Sequence, residues 1–500
     1  MAGTPSVVTI LHTNDLHGHV LPWSGWEGEL SGKRVGGFDR LATAVWQVRA
    51  EMGPDQVLLL DAGDTLSDTL IGRQTTGRAI LELMNFLRYD AMAVGNHDLD
   101  FTVETLREQI REARFAVLAA NLVDRDTRRG FTRSYLIREV GGVKVGILGL
   151  AYPNTALTSS PRNVTGLEFR EGAATANELI PLLRRDGAEL VVVLSHLGLS
   201  ADKQLAERVR GIDVIVSGHS HNRMRAAMRV RDTLIVQAGA HGSDLGRLDL
   251  TVHNGHILRH ASRLITLDHA LIEPDAEMQH LISSLTAPFC EELDERIGEA
   301  AQPIVRAQTL AGQEPGTRDA ESPADALFAD ILREETRSDI ALLPGLGYGV
   351  AIPRGPITAA QLHNLIPHDT AVVVLQLSGS AIHAILEQTL QNILSEDPSE
   401  RVGGIIQVSG LNVRYDPHGS VQRRVREVSV NNESLKPDRL YRVATISSLA
   451  NGGYNYRTFG EGRAREEYGD QYLIIRDWIS RHGPVKTPPL GHIQKIPAED

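Results

Sequence analysis

Short apolar runs alternate with amphipathic stretches over the first half of the chain, from about Val7 to Val252. The runs have the length of strands, and the stretches between them carry apolar residues at spacings of three and four, as helices do. The predicted strands contain VVTIL at 7, VLLL at 57, AMAV at 91, VGILGLA at 145, VVVL at 191, DVIV at 213 and LIVQ at 234. The predicted helices span 38–52, 77–87, 102–114 and 173–185. This alternation predicts a layered α/β domain.

The pattern changes in the second half of the chain. After about Asp268 it loosens into a helical stretch and then into AGQEPGTRDAESPAD, which is rich in Gly, Pro and acidic residues. We therefore predict a first domain over residues 1–265, a linker with a helix over 266–324, and a second domain over 325–500. The second domain is predicted to be mixed α+β, with helices over 325–337, 380–394 and 470–481 and strands at Ile340 and Val372.

Composition excludes several classes of protein. The 500 residues, 42% of them hydrophobic, are enough for two or three domains with sizeable cores. The 51 basic and 63 acidic residues give a net charge of -12 without a clustered basic stripe, so we expect no polymeric nucleic acid as a partner. Cys290 is the only cysteine, which excludes an intrachain disulfide and a thiolate metal cluster.

The same survey bears on location. No apolar run reaches the ~18 residues of a membrane span, so we expect no membrane partner. No Lys or Arg precedes Lys33, so the charged start of a signal peptide is missing. We expect a cytoplasmic protein, or a periplasmic or secreted one if an export signal was removed. The sequence says nothing about the oligomeric state.

Metal-binding residue types follow five of the predicted strands. They lie in TNDLHGH at 13, DAGDT at 61, GNHDLD at 95, LSHLG at 194 and SGHSH at 217. Open α/β folds build their sites at strand ends, so we expect these five segments to meet. Imidazole together with carboxylate or carboxamide oxygen, without thiolate, suits Mn, Zn, Fe or Co. So many ligands require two ions.

In this order, the five segments resemble the motifs of the calcineurin-like metallophosphoesterases, and GNHDLD is similar to the 5'-nucleotidase family in particular. The resemblance is close from about Val7 to Leu250 and looser to about Phe459. It implies a four-layer α/β sandwich, with helices flanking two β-sheets, followed by a mixed α+β substrate-binding domain. It also implies two divalent metal ions, Mn, Zn or Co, and a phosphomonoester hydrolase that uses a metal-bridging hydroxide on a nucleotide or another small phosphate ester.

The resemblance also assigns roles residue by residue. The implied metal ligands are Asp15, His17 and His221 for the first ion, Asn96, His196 and His219 for the second, and Asp64 as the bridge. His97 and Asp100 match the catalytic dyad, in which His97 stabilises developing charge or protonates the leaving oxygen. Asp100 has a second interpretation as the N-cap of the helix that begins directly behind it. The two roles are compatible.

Five further polar residues lie near these motifs. They are Asp61, His12, His19, His241 and Asp68. We interpret each as a structural residue or as a support for a ligand, because the seven assigned groups already fill a two-metal site.

The second domain carries landmarks of the 5'-nucleotidase C-terminal domain but departs from its nucleoside pocket. The landmarks are GPIT at 355, LSGSAI at 377, VGG at 402, SGLNVRYD at 409 and ANGG at 450. His368 and Ser448 stand where the family has the two phenylalanines that sandwich the base, and Tyr454 replaces the acidic residue that holds the ribose. No arginine precedes Arg354 in the loop where the family has one. The candidate substrate-binding residues are Tyr348, Arg354, His368, Ser448 and Tyr454.

Three alternatives stay open at this level. PGLGYG at 344 also resembles the thiosulfohydrolases of sulfur oxidation, which share a dimetal site, although the chain keeps His97 and Asp100. A 2',3'-cyclic nucleotide phosphodiesterase activity beside the monoesterase is a second alternative. A non-catalytic binding protein built on the same scaffold is the third. For the enzyme, the resemblance implies a small phosphorylated substrate bound between the domains.

Overall fold

The computed structural model describes residues 4–26, 28–306, 318–346, 349–368, 370–397 and 401–497. It divides into two compact units, residues 1–290 and 291–500. The dividing point lies inside the stretch that the sequence assigns to a linker. The helix of that stretch, Ala276–Thr286, packs in the first unit, whereas Arg296–Ala300 and Ile304–Arg306 form strands that pair within the second unit. Residues 307–317 of the predicted linker lie outside the described part of the chain.

The first unit alternates strands and helices along the chain. Its strands are β1 Ser6–Thr13, β2 Trp23–Ser24, β3 Arg34–Val35, β4 Val57–Asp61, β5 Ala91–Ala93, β6 Ala116–Leu118, β7 Leu122–Asp124, β8 Tyr135–Val140, β9 Val143–Leu150, β10 Leu167–Phe169, β11 Leu190–Ser195, β12 Val214–Ser217, β13 Met228–Val230, β14 Thr233–Val236, β15 Asp244–His253 and β16 His256–Thr266. Its helices are α1 Phe38–Met52, α2 Leu70–Gln74, α3 Arg78–Leu87, α4 Val103–Glu112, α5 Thr155–Thr158, α6 Pro161–Val164, α7 Gly172–Arg185, α8 Leu199–Arg208, α9 Ala276–Thr286 and α10 Cys290–Leu293, the last of which reaches the second unit.

Two sheets form the centre of the first unit. The first has the strand order β16-β15-β1-β4-β5-β6, with β1, β4, β5 and β6 parallel. The second has the order β13-β14-β12-β11-β9-β8, with β14, β12, β11 and β9 parallel. Buried side chains of both sheets belong to one apolar cluster, in which Ile10 and Leu58 of the first sheet join Val145 and Val192 of the second. The two sheets therefore pack face to face.

Helices cover the outer faces of both sheets. Apolar residues of α1, α3 and α9 pack on the first sheet, and those of α7 and α8 pack on the second. The predicted four-layer α/β sandwich is confirmed. The seven predicted strands and four predicted helices of this half are present, with α1 at its predicted bounds. The hairpin of β15 and β16 was not predicted, because β16 is exposed over most of its length and shows no clear alternation.

The second unit has its own sheets and core. Its strands are β17 Arg296–Ala300, β18 Ile304–Arg306, β19 Ile340–Leu343, β20 Val350–Ile352, β21 Gly355–Thr358, β22 Ala371–Ser378, β23 Gln407–Ser409, β24 Leu411–Tyr415, β25 Val425–Val430, β26 Glu433–Ser434, β27 Leu440–Ile446, β28 Arg463–Asp470 and β29 Ile493–Lys495. Its helices are α11 Pro323–Glu335, α12 Ala359–Leu365, α13 Gly379–Leu394, α14 Ser447–Ala450 and α15 Gln471–Arg481.

One sheet of the second unit has the order β23-β19-β27-β22-β28, and another has the order β26-β25-β24-β29. Helices α11, α12, α13 and α15 contribute to the same buried apolar cluster as these strands. The predicted mixed α+β architecture is confirmed. Among the described residues of the whole chain, no helix combines the length and the apolar character that crossing a bilayer requires.

Candidate metal centre

The predicted ligands lie where parallel strands of the two sheets end. Strands β1, β4 and β5 are parallel neighbours in the first sheet, and β11 and β12 are parallel neighbours in the second. The loops that leave these five strands carry all seven predicted ligands. Backbone hydrogen bonds tie the loops together, since Asp15 N–H donates to Gly63 O and His17 N–H donates to Asp64 O, each at 2.8 Å. The expected meeting of the strand ends is therefore observed.

Asp15, His17 and His221 form what we call the first ligand group. The His17 and His221 Nε2 atoms are 3.0 Å apart. Asp15 Oδ1 lies 3.4 Å from His221 Nε2 and 3.8 Å from His17 Nε2. Two ligands ~2.1 Å from one ion, at right angles or tetrahedral angles, are separated by ~3.0–3.4 Å. The three side chains are thus spaced as ligands of a single ion.

Asn96, His196 and His219 form the second ligand group. His196 Nδ1 donates to Ala62 O at 2.7 Å, which leaves Nε2 facing Asp64 Oδ2 at 2.9 Å. A backbone acceptor on one ring nitrogen fixes the tautomer that presents the other to a metal. Asn96 Oδ1 is buried and has no hydrogen-bond partner among the described residues. A buried acceptor of this kind fits a cation, so the residues present fit the implied metal.

Asp64 belongs to both groups. Its carboxylate, His196 and His219 place ligand atoms within 4.8 Å of one another, and so do Asp15, His17 and Asp64. Burial acts to raise the pKa of Asp64, but the neighbouring His196 and His97 outweigh it and hold the pKa below its usual value. Burial acts to lower the pKa of His196, yet Asp64 and Asp15 raise it to about 9. The same negative potential favours a bound cation.

The predicted dyad lies beside this carboxylate. His97 Nδ1 is 2.8 Å from Asp100 Oδ2, and the backbone N–H of His97 donates to Asp64 Oδ1 at 2.7 Å. Burial opposes protonation of His97, but the carboxylates of Asp68, Asp100 and Asp64 raise its pKa well above the ordinary value. Thr102, not Asp100, caps α4, since its side chain accepts from Thr105 N–H at 3.0 Å. The capping interpretation of Asp100 is therefore wrong.

Supporting residues explain how the loops are held. Asp98 is buried and its carboxylate accepts four backbone N–H groups, from Asp64, Thr65, Leu66 and Gly95, at 2.8–3.1 Å. It thereby joins the loop after β4 to the loop after β5. Sequence reasoning gave Asp98 no role, because a carboxylate that binds backbone groups leaves no pattern along the chain.

Other polar neighbours lie around the ligands. Asp68 is hydrogen-bonded to His17 Nδ1, so His17 presents Nε2 to the ligand group. Asp61 accepts from the Thr13 and Thr65 hydroxyls, and the ring of His12 faces Gly246 in β15. The rings of His19 and His241 lie together, with centroids 4.4 Å apart. Tyr152, which sequence reasoning also missed, stacks on His219 at 4.1 Å between ring centroids.

The predicted substrate residues belong to the second unit. Tyr348 lies outside the described residues. Arg354 is exposed in the turn between β20 and β21, and Tyr454 is half-buried with a left-handed φ of 53°. His368 follows α12 and Ser448 lies in α14. The hydroxyls of Thr370 and Ser447 are 3.0 Å apart, so the segments that carry His368 and Ser448 lie side by side. Their role in binding stays a prediction.

Comparison with known proteins agrees with this geometry. Residues 8–223 match the family described as calcineurin-like phosphoesterase, and residues 297–461 match the 5'-nucleotidase C-terminal domain. The chain belongs to the 5'-nucleotidase family of calcineurin-like phosphoesterases. It is accordingly a metal-dependent phosphoric ester hydrolase that uses divalent metal ions.

The similarity to individual relatives extends over nearly the whole chain. The snake venom 5'-nucleotidase of Naja atra is 28% identical over 96% of this chain and 96% of its own length. The 5'-nucleotidase precursor of Thermus thermophilus has a structure similar to this one, with a TM-score of 0.88, 29% identity and coverage of 99% and 100% of the two chains. The trifunctional nucleotide phosphoesterase YfkN of Bacillus subtilis is 27% identical over 98% of this chain, which spans 35% of that longer protein.

The thiosulfohydrolase alternative has a structural counterpart as well. The sulfate thiohydrolase SoxB of Thermus thermophilus superposes with a TM-score of 0.88 and 24% identity, covering 98% of this chain and 97% of its own. At that identity the likeness shows a shared fold only.

Proposed function

We propose that this enzyme is a two-metal phosphomonoesterase that acts on small phosphate esters, nucleoside monophosphates among them. The observation that carries the proposal is that Asp64 offers a ligand atom to two separate groups, one with Asp15 and His17 and the other with His196 and His219. The His97–Asp100 pair lies directly beside that shared residue. This is the arrangement that an in-line phosphoryl transfer between two ions requires.

The first ligand group would hold one ion, the second ligand group the other, and Asp64 both. Two bound divalent cations would supply a water of lowered pKa and positive charge that neutralises the phosphoryl oxygens. Mn, Zn or Co fit the nitrogen and oxygen donors, and availability decides among them. Asp15, His17, Asp64, Asn96 and His196 are buried, whereas the His97 side chain is 19% exposed, which would let a substrate reach it.

His97 would act on the substrate directly. Asp100 accepts a hydrogen bond from the Nδ1–H of His97, which orients the ring and makes Nε2 the nitrogen that would act on the substrate. A ring with a raised pKa carries a proton at neutral pH and can donate it to the leaving oxygen or stabilise a phosphoryl oxygen. Asp68, 3.6 Å from His97 Nδ1, adds negative charge that keeps the ring protonated.

The second unit would bind the leaving group of the substrate. The relatives are named 5'-nucleotidases, but two phenylalanines that stack the base in that family are replaced here by His368 and Ser448. Aromatic stacking contributes ~1–3 kcal/mol per base in single-strand nucleic-acid readers. We therefore propose weaker discrimination between nucleosides and other phosphate esters than an intact aromatic pocket would give.

The test is phosphate release by the metal-stripped full chain with added Mn, Co or Zn. The substrates are a nucleoside 5'-monophosphate, a sugar phosphate, a 2',3'-cyclic nucleotide and an aryl phosphate. We expect release from several of the monoesters, dependent on two bound ions per chain, and loss of both activity and one ion in Asp64→Asn. A strict preference for the nucleotide would overturn the proposal that the pocket discriminates weakly between phosphate esters. If two ions are bound and no substrate releases phosphate, the proposal of phosphomonoesterase activity is overturned.

A further inference from the structure

A third histidine, His241, lies against the two histidines of the first ligand group. His241 leaves β14 on the short loop that leads to β15, and it is 3% exposed. Its ring centroid lies 5.4 Å from that of His17 and 5.5 Å from that of His221. One ring nitrogen of each of the three residues lies within 4.8 Å of the other two. Two nitrogens bound to one ion at ~2.1 Å can be up to ~4.2 Å apart, so a small shift of the ring makes His241 a ligand.

The backbone fixes His241 at this place. Its N–H donates to Asp15 O at 2.7 Å, and its own carbonyl accepts from Trp23 Nε1 at 3.0 Å. Asn14 holds the same loop two residues earlier, because its Nδ2 donates to Gly239 O at 2.6 Å and its Oδ1 accepts from Ala238 N–H at 2.8 Å. The loop that presents His241 is therefore anchored to the loop that presents Asp15 and His17.

The backbone conformation of His241 matches that of the neighbouring ligands. Its φ of 56° lies in the left-handed region, as do those of His17 at 46° and His221 at 57°. Non-glycine residues in this region are strained and persist where the surrounding structure requires the side chain in one place.

We propose that His241 is an additional ligand of the ion held by Asp15, His17 and His221, an inference that rests on the proposed two-metal site. That ion then has three imidazole ligands, whereas the ion of the second ligand group has two. Nitrogen-rich sites favour zinc or cobalt over manganese, for which oxygen ligands are better suited. The two sites of this enzyme thus differ in metal preference, and the first selects zinc or cobalt.

The test compares the full-length enzyme with His241→Ala and His241→Asn, starting from metal-free protein. Equilibrium dialysis with zinc counts the ions and gives their affinities, and the visible spectrum of the cobalt-loaded protein reports the coordination of each ion. We expect wild type to bind two ions. In both variants we expect one affinity to fall by at least ~10-fold, the lower limit for losing a supporting residue of a metal site, and the cobalt spectrum of that ion to change.

The matched control is His12→Asn. His12 is also buried, at 2% exposed, and lies on β1 outside the metal-ligand groups. We expect this control to bind two ions with unchanged affinities and an unchanged cobalt spectrum. Circular dichroism of every metal-free variant checks that it is folded, and His241→Asn, which keeps a polar side chain, serves if His241→Ala is not.

Two outcomes separate this inference from the proposed function. If wild type binds two ions and both folded His241 variants keep both affinities and the cobalt spectrum, His241 only packs against His19 and Trp23, and the inference is overturned. If wild type itself binds fewer than two ions, the two-metal site fails and this inference fails with it.

Discussion

Seven residues of the metal centre adopt a backbone conformation that side chains other than glycine rarely take. The residues with positive φ are Asp15, His17, Asp64, Asp68, His219, His221 and His241. Each such conformation costs about 1–3 kcal/mol and requires compensation by its surroundings. Asp98 supplies part of that compensation, since its carboxylate accepts from the N–H groups of Asp64, Thr65 and Leu66. The site is therefore held by hydrogen bonds to the backbone as much as by its ligands.

Gly95 tests how closely the loops must approach each other. A Cβ at this position would overlap the Oδ1 and N atoms of Asp64. We therefore expect Gly95→Ala to displace the shared carboxylate and to weaken the binding of both ions by at least ~10-fold, as the loss of supporting contacts does in metal sites. Equilibrium dialysis measures this. Gly460→Ala, at a site with open space around the new Cβ, is the control and should bind metal as wild type does.

Replacing His97 distinguishes a role in the chemical step from a role in metal binding. Its ring lies outside both ligand groups, and its contact with Asp64 is made by the backbone N–H, which His97→Ala keeps. We expect this variant to retain its metal content and to lose ~10²–10⁴-fold in kcat, the usual contribution of an acid–base group. Phosphate release and elemental analysis on the same sample measure both. A variant that keeps full turnover would remove His97 from the mechanism.

The site depends on where secondary structure elements begin and end. The ligand loops leave strands that are buried over most or all of their length, and Thr102 caps α4 soon after the loop that carries Asn96. Polar residues on the flanking helices hold the strand ends. Asp202 of α8 accepts from the Ser195 hydroxyl at 2.5 Å, one residue before the ligand His196. A helix therefore positions the end of β11.

Asp202 makes stability depend on pH. Burial raises its pKa to about 7, although Ser195, Ser217 and His196 each act to lower it. The unfolded chain has the ordinary value of 3.8, so from there to about pH 7 the folded state binds the extra proton. The stability that the neutral carboxyl contributes is fully present below pH 3.8, and it is lost as the pH rises through about 7.

Asp202→Asn should remove this loss. We expect the free energy of unfolding of the variant, measured relative to that of the wild type, to be larger at pH 8 than at pH 5, so that the variant gains stability over the wild type as the pH rises. Urea unfolding of the metal-free proteins at both pH values measures the difference. An equal difference at the two pH values would show that Asp202 is ionised in the folded protein throughout.

At the scale of the whole molecule, the two units have separate cores. The buried apolar clusters of residues 1–290 contain both sheets and their helices, and one further cluster accounts for residues 291–500. All seven predicted metal ligands lie in the first unit, whereas all the predicted substrate residues lie in the second. The proposed metal binding and the proposed recognition of the leaving group therefore belong to different units.

Metal removal should therefore destabilise one unit. A ligand that binds only the folded state adds ~2.7 kcal/mol of stability at 100 times its Kd. We expect calorimetry to show two unfolding transitions, and we expect a chelator to lower the midpoint temperature of only the transition of the first unit. Leu342→Ala, at a fully buried position of β19, should lower the midpoint temperature of the other transition, since such changes cost ~2–5 kcal/mol of stability. A chelator that lowers both midpoint temperatures equally would contradict independent unfolding of the two units.

The elements of both halves could be predicted because strands and helices are local. The apolar run of β4 and the spacing in α1 are complete within a few residues, so their bounds agree with the structure. The hairpin of β15 and β16 could not be predicted, because the position of an exposed edge strand depends on the strand it pairs with. The sequence does place His241 after an apolar strand, LIVQ, but we interpreted it as a structural or supporting residue because seven groups already fill a two-metal site.

The order of most strands and helices and the class of chemistry could be inferred from the sequence, because each is carried by neighbouring residues in one segment, and the seven ligands stay a prediction that the family resemblance implies. Only the folded structure showed that Asp68 binds His17, that Asp98 joins two loops, and that His241 lies against the first ligand group. These are contacts between residues far apart in the chain, set by left-handed turns and by the packing of two sheets.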